Sequence, residues 1–223
     1  MESIIVNRRL LMPIDILMVG ATGTGKSATL NALFQKTVAK VGLGAEPETE
    51  HISSYQLHNS LRFHDSAGLG DGVEADKKHA QNIARKLYER CAVQGAGTGQ
   101  GYRLIDLALV ILDGGSKDLG TAYKLLESVV LKSIEAKRVI VAVNQADMAM
   151  KGRHWCHESN QPDDVLYTYL KEQSSSIKAR ILESTGCTIS KPVFYSATRG
   201  YHIQELIDHL IEHFPESRRY IGM

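Results

Sequence analysis

Cysteine is scarce in this chain: 223 residues hold three, Cys91, Cys156 and Cys187, far apart and odd in number. That argues against a disulfide framework and suits reduced thiols, so a cytoplasmic setting is expected. An excess of either charge is also lacking, because 26 Lys and Arg stand against 25 Asp and Glu for a net charge of +1. Bulk electrostatics therefore select neither a nucleic-acid binder nor a membrane-surface binder. Long hydrophobic runs are missing too. None approaches the roughly 20 residues of a membrane span, so no transmembrane segment is expected. Near the start, Ile4-Ile5-Val6 precedes Arg8-Arg9, the reverse of the order in a secretory leader. Residues 1–13 are expected to be an N-terminal extension, a helix packed on the domain. No internal repeat is visible. The remaining composition, 43% hydrophobic and 23% charged, is ordinary for one globular domain with a sizeable core.

The most informative stretch is Gly20-Ala21-Thr22-Gly23-Thr24-Gly25-Lys26-Ser27. It fits G-x-x-x-x-G-K-[ST], a phosphate-binding loop for nucleoside triphosphates. Ile14 to Val19 before it is an apolar run of strand length, and Leu30, Leu33 and Phe34 after it recur at helical spacing. A strand, a glycine turn and a helix are the context this motif requires. Its backbone N–H groups and the helix N-terminus would cradle phosphates. Lys26 would reach the β- and γ-phosphates and the Ser27 hydroxyl would hold Mg²⁺.

Three later segments narrow the chemistry. Asp65-Ser66-Ala67-Gly68 follows the strand-like Ser60 to His64. A carboxylate at that strand end can support the Mg²⁺ shell, and the Gly68 N–H can sense a γ-phosphate. Asn144-Gln145-Ala146-Asp147 follows the β-branched run Arg138 to Val143. It fits the Asn-Lys-x-Asp guanine reader except that Gln145 replaces Lys. The Asp147 carboxylate would accept from the guanine N1–H and exocyclic amine, a donor pair adenine lacks. Ser196-Ala197-Thr198 follows Lys191 to Tyr195, and a backbone N–H there would lie near guanine O6. All four pieces fall at the C-terminal ends of strands, the edge at which open α/β sheets bind ligands.

The periodicities predict strands at 14–19, 52–58, 61–65, 104–112, 138–143 and 189–195. Helices are expected at 26–35, 74–91, 119–134, 163–183 and 203–214, with Asp163 or Asp164 as a cap. Asn59-Ser60 reads as a hairpin turn. The expected fold class is α/β: a three-layer P-loop NTPase G domain with a mostly parallel six-stranded sheet, one antiparallel strand and helices on both faces. The domain is expected over 14–214, with 215–223 as a C-terminal tail.

On Gly20 to Phe34, Asn144 to Trp155 and Tyr195 to Ala197, the chain resembles the translation-factor-related GTPases. Within them it is most similar to Era-like small bacterial GTPases of the HSR1-related type, including prophage-borne members. The resemblance spans 14–214. It implies a GTP-hydrolysing, nucleotide-dependent switch that uses GTP/GDP and Mg²⁺. Lys26, Thr49 and Gly68 would be its catalytic residues, and Ser27, Thr49 and Asp65 its metal ligands. Nucleotide contacts would come from 22–28 (Thr22, Gly23, Thr24, Gly25, Lys26, Ser27 and Ala28), Asp65, Asn144, Gln145, Asp147, Ser196, Ala197 and Thr198. Thr37 rivals Thr49 as the first-switch threonine. Leu69 stands where Ras-like enzymes carry the water-orienting glutamine, so slow intrinsic hydrolysis is expected. Asp71, Glu74 or a second chain are candidates to position water. Implied partners are a guanine nucleotide, a protein effector and a nucleotide-dependent homodimer; RNA or the ribosome is reachable but not indicated. An assembly module with little turnover, and an ATP-using kinase, are the competing functions, and Asn144 with Asp147 argues against the kinase.

Gly95 to Gly101 reads as a flexible connector and not a second nucleotide loop. His154, Cys156 and His157 are spaced too tightly to form a zinc site easily. Lys151, Arg153, His154 and Trp155 read as a solvated basic-aromatic loop. Asp113 to Asp118 reads as a strand end leading into a helix cap.

Overall fold

The computed structural model describes residues 13–35, 53–66, 73–92, 101–116 and 120–221. The central sheet has six strands: β1 (Ile14–Val19), β2 (Ser53–His58), β3 (Leu61–Asp65), β6 (Leu107–Asp113), β7 (Val139–Asn144) and β10 (Val193–Phe194). Their order is β10-β7-β6-β1-β3-β2. Only the β2–β3 pair, joined by the turn at Asn59-Ser60, is antiparallel. The expected fold class is observed.

The central strands are mostly apolar because helices cover both faces, Asp15 in β1 being a buried exception within a strand. Alternate residues enter two separate cores. Leu17, Val19, Ala108, Val110, Leu112, Val139, Val141 and Val143 face one. Ile14, Ile16, Met18, Leu107, Leu109, Ile111, Ile140 and Ala142 face the other. Helices α1 (Lys26–Phe34) and α6 (Ile203–Glu212) supply the second core through Leu30, Leu33, Leu206 and Leu210. The first core takes Ile83 and Leu87 of α2 (Val73–Tyr88). It also takes a helical segment that runs through α3 (Gly120–Leu125), a π-helical stretch (Leu126–Val130) and α4 (Leu131–Ser133), together with α5 (Asp164–Thr185). The Asp163 carboxylate accepts from Leu166 N at 3.0 Å and starts α5; Gly186, at φ 70°, ends it. Each fully buried Leu, Ile or Val contributes about 1.5–3 kcal/mol.

Five expectations need correction. The run 104–112 is not one strand. Leu104 N donates to Glu89 O, and Asp106 exchanges bonds with Asp15, its N donating to Asp15 O and its Oδ2 accepting from Asp15 N. The strand proper begins only at Leu107. Residues just before it join a second, antiparallel sheet of β4 (Arg90–Ala92), β5 (Gly101–Arg103) and β11 (Arg219–Ile221), ordered β11-β5-β4. The expected tail 215–223 therefore supplies a paired strand, and α2 stops at Tyr88, short of Cys91. The strand at 189–195 is confined to Val193–Phe194, since Pro192 offers no N–H to the ladder. The loop leading to Pro162 carries a 3₁₀ segment (Ala146–Gly152) and a hairpin of β8 (Trp155–Cys156) with β9 (Gln161–Pro162). Trp155 is buried edge-on against Tyr201, with ring centroids 5.2 Å apart. It is not a solvated loop residue.

Among the described residues no helix is long and apolar enough to cross a membrane. Residues 1–12, the loop with Thr37 and Thr49, the segment with Gly68, Leu69 and Asp71, the stretch 93–100 and residues 117–119 lie outside the described residues.

Candidate functional site

The C-terminal ends of β1, β3, β6 and β7, with the turn after β10, converge on the loop between β1 and α1. Its shape depends on glycine at two places. Gly23 and Gly25 hold φ of 82° and 84°, a region unfavourable to residues with a Cβ. A Cβ on Gly25 would also sit 2.2 Å from Asn144 Nδ2. The loop closes on itself through Thr24 Oγ1, which donates to Ala21 O at 2.9 Å. Lys26 is buried and folds back, its Nζ donating to Gly20 O at 3.1 Å and Ala21 O at 3.2 Å. That places an ammonium inside the curve of the loop.

Asn144 ties three segments together. Its Nδ2 donates to Thr24 O at 2.9 Å, and its Oδ1 accepts from Ala197 N at 3.0 Å. Gln145, with φ 60°, donates from Nε2 to Gly23 O at 2.6 Å. The glutamine thus keeps a donor aimed at the phosphate loop in the position where a lysine was expected. Asp147 is buried, and Arg199 Nε lies 3.6 Å from its Oδ2. Ser196 is fully buried; its Oγ accepts from Arg199 N at 3.2 Å. Ala197 is half-buried and Thr198 exposed.

Beneath the loops lies a contact the sequence did not signal. The hydroxyls of Tyr195 and Thr29 are 2.7 Å apart, and Thr29 Oγ1 also lies 2.8 Å from Gly25 O, to which it donates. Tyr195 is fully buried. One chain of bonds therefore links the residue before Ser196 to the last glycine of the phosphate loop. Arg199 was also missed, since one arginine after a Ser-Ala-Thr carries no distinguishing spacing.

Asp65 ends β3 at 2% exposure. Burial pushes its carboxyl up to about 6, against the opposing pull of the Lys26 charge and a hydrogen bond with the Ser27 side chain. Its Oδ1 has no hydrogen-bond partner among the described residues. A buried carboxylate with one unused oxygen beside a hydroxyl is a hard, oxygen-rich donor set, which fits Mg²⁺. Of the expected metal and catalytic residues, the structure brings Lys26, Ser27 and Asp65 together; Thr49 and Gly68 fall outside the described residues. Glu74 belongs to α2, but its side chain is not described.

His154 and Cys156 do not converge with His157. His154 Nδ1 lies 2.7 Å from Asp163 Oδ2, and His157 Nδ1 lies 3.4 Å from Arg199 Nη2. Gly114 N is bonded to Asn144 O, and Gly115 N to Asp113 Oδ1, so the start of the Asp113 to Asp118 stretch does end a strand at this edge.

Comparison with known proteins agrees with this fold. Toc33 from Arabidopsis thaliana in complex with GDP and Mg²⁺ superposes with a TM-score of 0.63 at 15% identity, covering 97% of this chain and 90% of that one. A dimerization-deficient mutant of Toc33 gives 0.66 at 15% identity, covering 100% and 94%. Era of Aquifex aeolicus bound to GDP·AlF₄⁻ gives 0.57 at 15% identity, covering 96% and 62%. At these identities the likeness is one of fold. In sequence, translocase of chloroplast 125 from Physcomitrium patens is 38% identical over 74 residues, 32% of this chain and 6% of that protein. Septin-8 of Xenopus tropicalis is 24% identical over 152 residues, 61% of this chain and 35% of that protein. The chain thus spans no more than about a third of the length of these curated relatives. Residues 15–145 match a family profile that runs from β1 to the Asn144-Gln145 turn, and by that match the chain belongs to the 50S ribosome-binding GTPases.

Proposed function

We propose that this protein binds GTP and hydrolyses it to GDP and phosphate, acting as a nucleotide-dependent switch. The observation that carries the reading is the pair of hydrogen bonds made by the Asn144 side chain, which joins the phosphate loop to the Ala197 backbone. In this reading Gly23, Thr24, Gly25, Ser27 and Ala28 direct backbone N–H groups at the phosphates, with Thr22 at the loop's rim. Lys26 neutralises charge on the β- and γ-phosphates. To reach them it exchanges its two carbonyl bonds for charged ones, which are stronger. Asp147 accepts from guanine, and Ser196, Ala197 and Thr198 shape the turn beside it, the Ala197 N–H being held by Asn144 Oδ1. Gln145 holds the two loops in register.

Bound Mg²⁺ would supply charge neutralisation at the phosphates, with Ser27 and Asp65 as its protein-side oxygens and Thr49 completing the set when the first switch closes. Thr49 and Gly68 are then the residues that respond to the γ-phosphate. Leu69 cannot orient water, so turnover is slow unless a partner or a second copy supplies the missing group. Toc33, for which a dimerization-deficient mutant exists, supports the second copy. The nucleotide unit is 14–214, preceded by the extension 1–13; the setting is cytoplasmic and the relatives in mind are the HSR1-related, including prophage-borne, GTPases.

Competition of unlabelled GTP and ATP against a fluorescent GDP analogue, with phosphate release followed in parallel, tests this. GTP should displace at least ~30-fold better than ATP, given two lost hydrogen bonds of about 1–3 kcal/mol each. Equal displacement would reject the base assignment. Binding without phosphate release at any protein concentration would leave an assembly module.

A further inference from the structure

The opposite edge of the central sheet holds a second concentration of chemistry. There the segments leading into β1, β6 and β7 meet the small β11-β5-β4 sheet, and a cavity of about 650 Å³ opens beside them. Six cationic side chains line it: Arg103, Lys132, Lys137, Arg138, Arg218 and Arg219. Glu135 is the single acid. With the whole chain balanced at +1, this is a local gathering of charge, not a reflection of composition.

Three of the cations have carboxylate neighbours, two of them sharing Glu135. Arg218 donates to Asp106 and lies 3.8 Å from Asp15 Oδ2. Lys137 pairs with Glu135 at 2.9 Å. Arg138 and Arg219 are held differently. Arg138 is 6% exposed and donates to the carbonyls of Asp106 (3.3 Å) and Ser217 (2.7 Å). Among the described residues its Nε has no hydrogen-bond partner, and it forms a long ion pair at 3.8 Å with the Glu135 carboxylate that Lys137 also uses. Arg219 donates to the carbonyls of Leu87, Ile105 and Ser133 at 3.0, 3.1 and 2.7 Å. Carbonyls orient a guanidinium but bring no countercharge. Burial, and then the charges of Arg138 and Arg103, push the Arg219 guanidinium below its ordinary value. One shared carboxylate at 3.8 Å compensates these gathered charges only in part, and a bound anion would offset the remainder.

We propose that this cavity binds a small molecule carrying two or more phosphate groups. Guanidinium forks match phosphate oxygens in pairs. The cations converge on one cavity, of a volume typical for small-molecule sites. They do not run along a strip, as a groove tracking a nucleic-acid backbone would. Tyr88 and Tyr220 line the same cavity at 47% and 55% exposure and offer ring faces to the rest of the ligand. This site lies across the sheet from the phosphate loop and does not depend on the nucleotide reading.

The test is calorimetric titration of the GDP-saturated protein with inorganic tripolyphosphate in magnesium-free buffer. It is run on the wild type and on Lys132→Glu/Lys137→Glu, two exposed positions that leave the core untouched. The expected result is 1:1 binding that weakens at least 10-fold in the variant, with GDP affinity and melting temperature unchanged. No binding, or equal affinity in the two proteins, would overturn the proposal. So would a single-stranded oligonucleotide that binds here while tripolyphosphate does not, since that assigns the edge to nucleic acid.

Discussion

At the C-terminal edge of the sheet the side chains that tie the phosphate loop to its neighbours are neutral: Asn144, Gln145, Thr29 and Tyr195 act through amide and hydroxyl bonds, and among the described residues the charged groups there, Lys26, Asp65 and Asp147, form no buried ion-pair network like that of the far edge. At the N-terminal edge the contacts are ionic. Asp15 accepts from Arg62 at 2.8 Å and from His64 at 2.7 Å, and Asp106 accepts from Arg218, all around carboxylates exposed 1% or less. The difference reflects what each edge does. A loop that must receive a polyphosphate is best fixed by groups that leave its charge to the ligand. The far edge is shut by the chain's own C-terminal segment, Arg218 reaching back to the carbonyl of Pro13.

The largest effect is expected at the ionic edge. Asp106→Ala leaves Arg218 buried with only the more distant Asp15 as partner, and should lower unfolding free energy by about 3–5 kcal/mol in urea denaturation. GDP affinity measured on the folded fraction should be unchanged. A loss below about 1 kcal/mol would mean that the buried ion pair contributes little.

This contrast also explains what could be read beforehand. The phosphate loop occupies eight consecutive residues, and the base-reading turns are short strings at strand ends, so local patterns revealed them. The apolar runs of β1, β6 and β7 were legible as strands for the same reason, but which of their residues face which core was not. The small sheet was not. Its partners are far apart in sequence, as Arg103 and Arg219 are, and three-residue strands carry no periodicity. Asp106 hid inside an apolar run because its partners, Asp15 and Arg218, are 91 and 112 residues away. Tyr195 looked like an ordinary strand residue; only the fold reveals Thr29 beneath it.

Next in size is Lys26→Ala at the neutral edge. Loss of a buried charged donor to phosphate should weaken triphosphate binding by about 1.5–3 kcal/mol, roughly 10- to 100-fold, with melting temperature little altered. Unchanged affinity would remove Lys26 from the site. Smaller still is Tyr195→Phe. Thr29 keeps its bond to Gly25 O, so about 0.5–1.5 kcal/mol of stability should be lost. A larger drop in GDP affinity than in stability would show that the buried hydroxyl pair sets the shape of the phosphate loop.

The pH dependence separates the two carboxylates of the ionic edge by sign. Burial pushes the Asp106 carboxyl up to about 6, with the Arg218 charge opposing. The native state then holds protons that the unfolded chain releases, so this group makes stability fall as pH rises from 3.8 to about 6 and level off above. Asp15 has the opposite sign: burial raises it, but its bonds from His64 and Arg62 outweigh this and hold it below 3.8. Its stabilisation is present above 3.8 and is lost as pH falls further. Asp106→Asn should flatten the slope between pH 4 and 6; an unaltered slope would place the titration elsewhere, Asp65 being the nearest alternative.

The central claim is that Asp147 reads guanine. The direct measurement is a titration of wild-type protein and Asp147→Asn with labelled GDP and labelled xanthosine diphosphate. The wild type should prefer GDP, and the variant should lose about 10- to 100-fold in GDP affinity while gaining for the xanthine nucleotide. Retention of full GDP affinity by the variant would contradict the account.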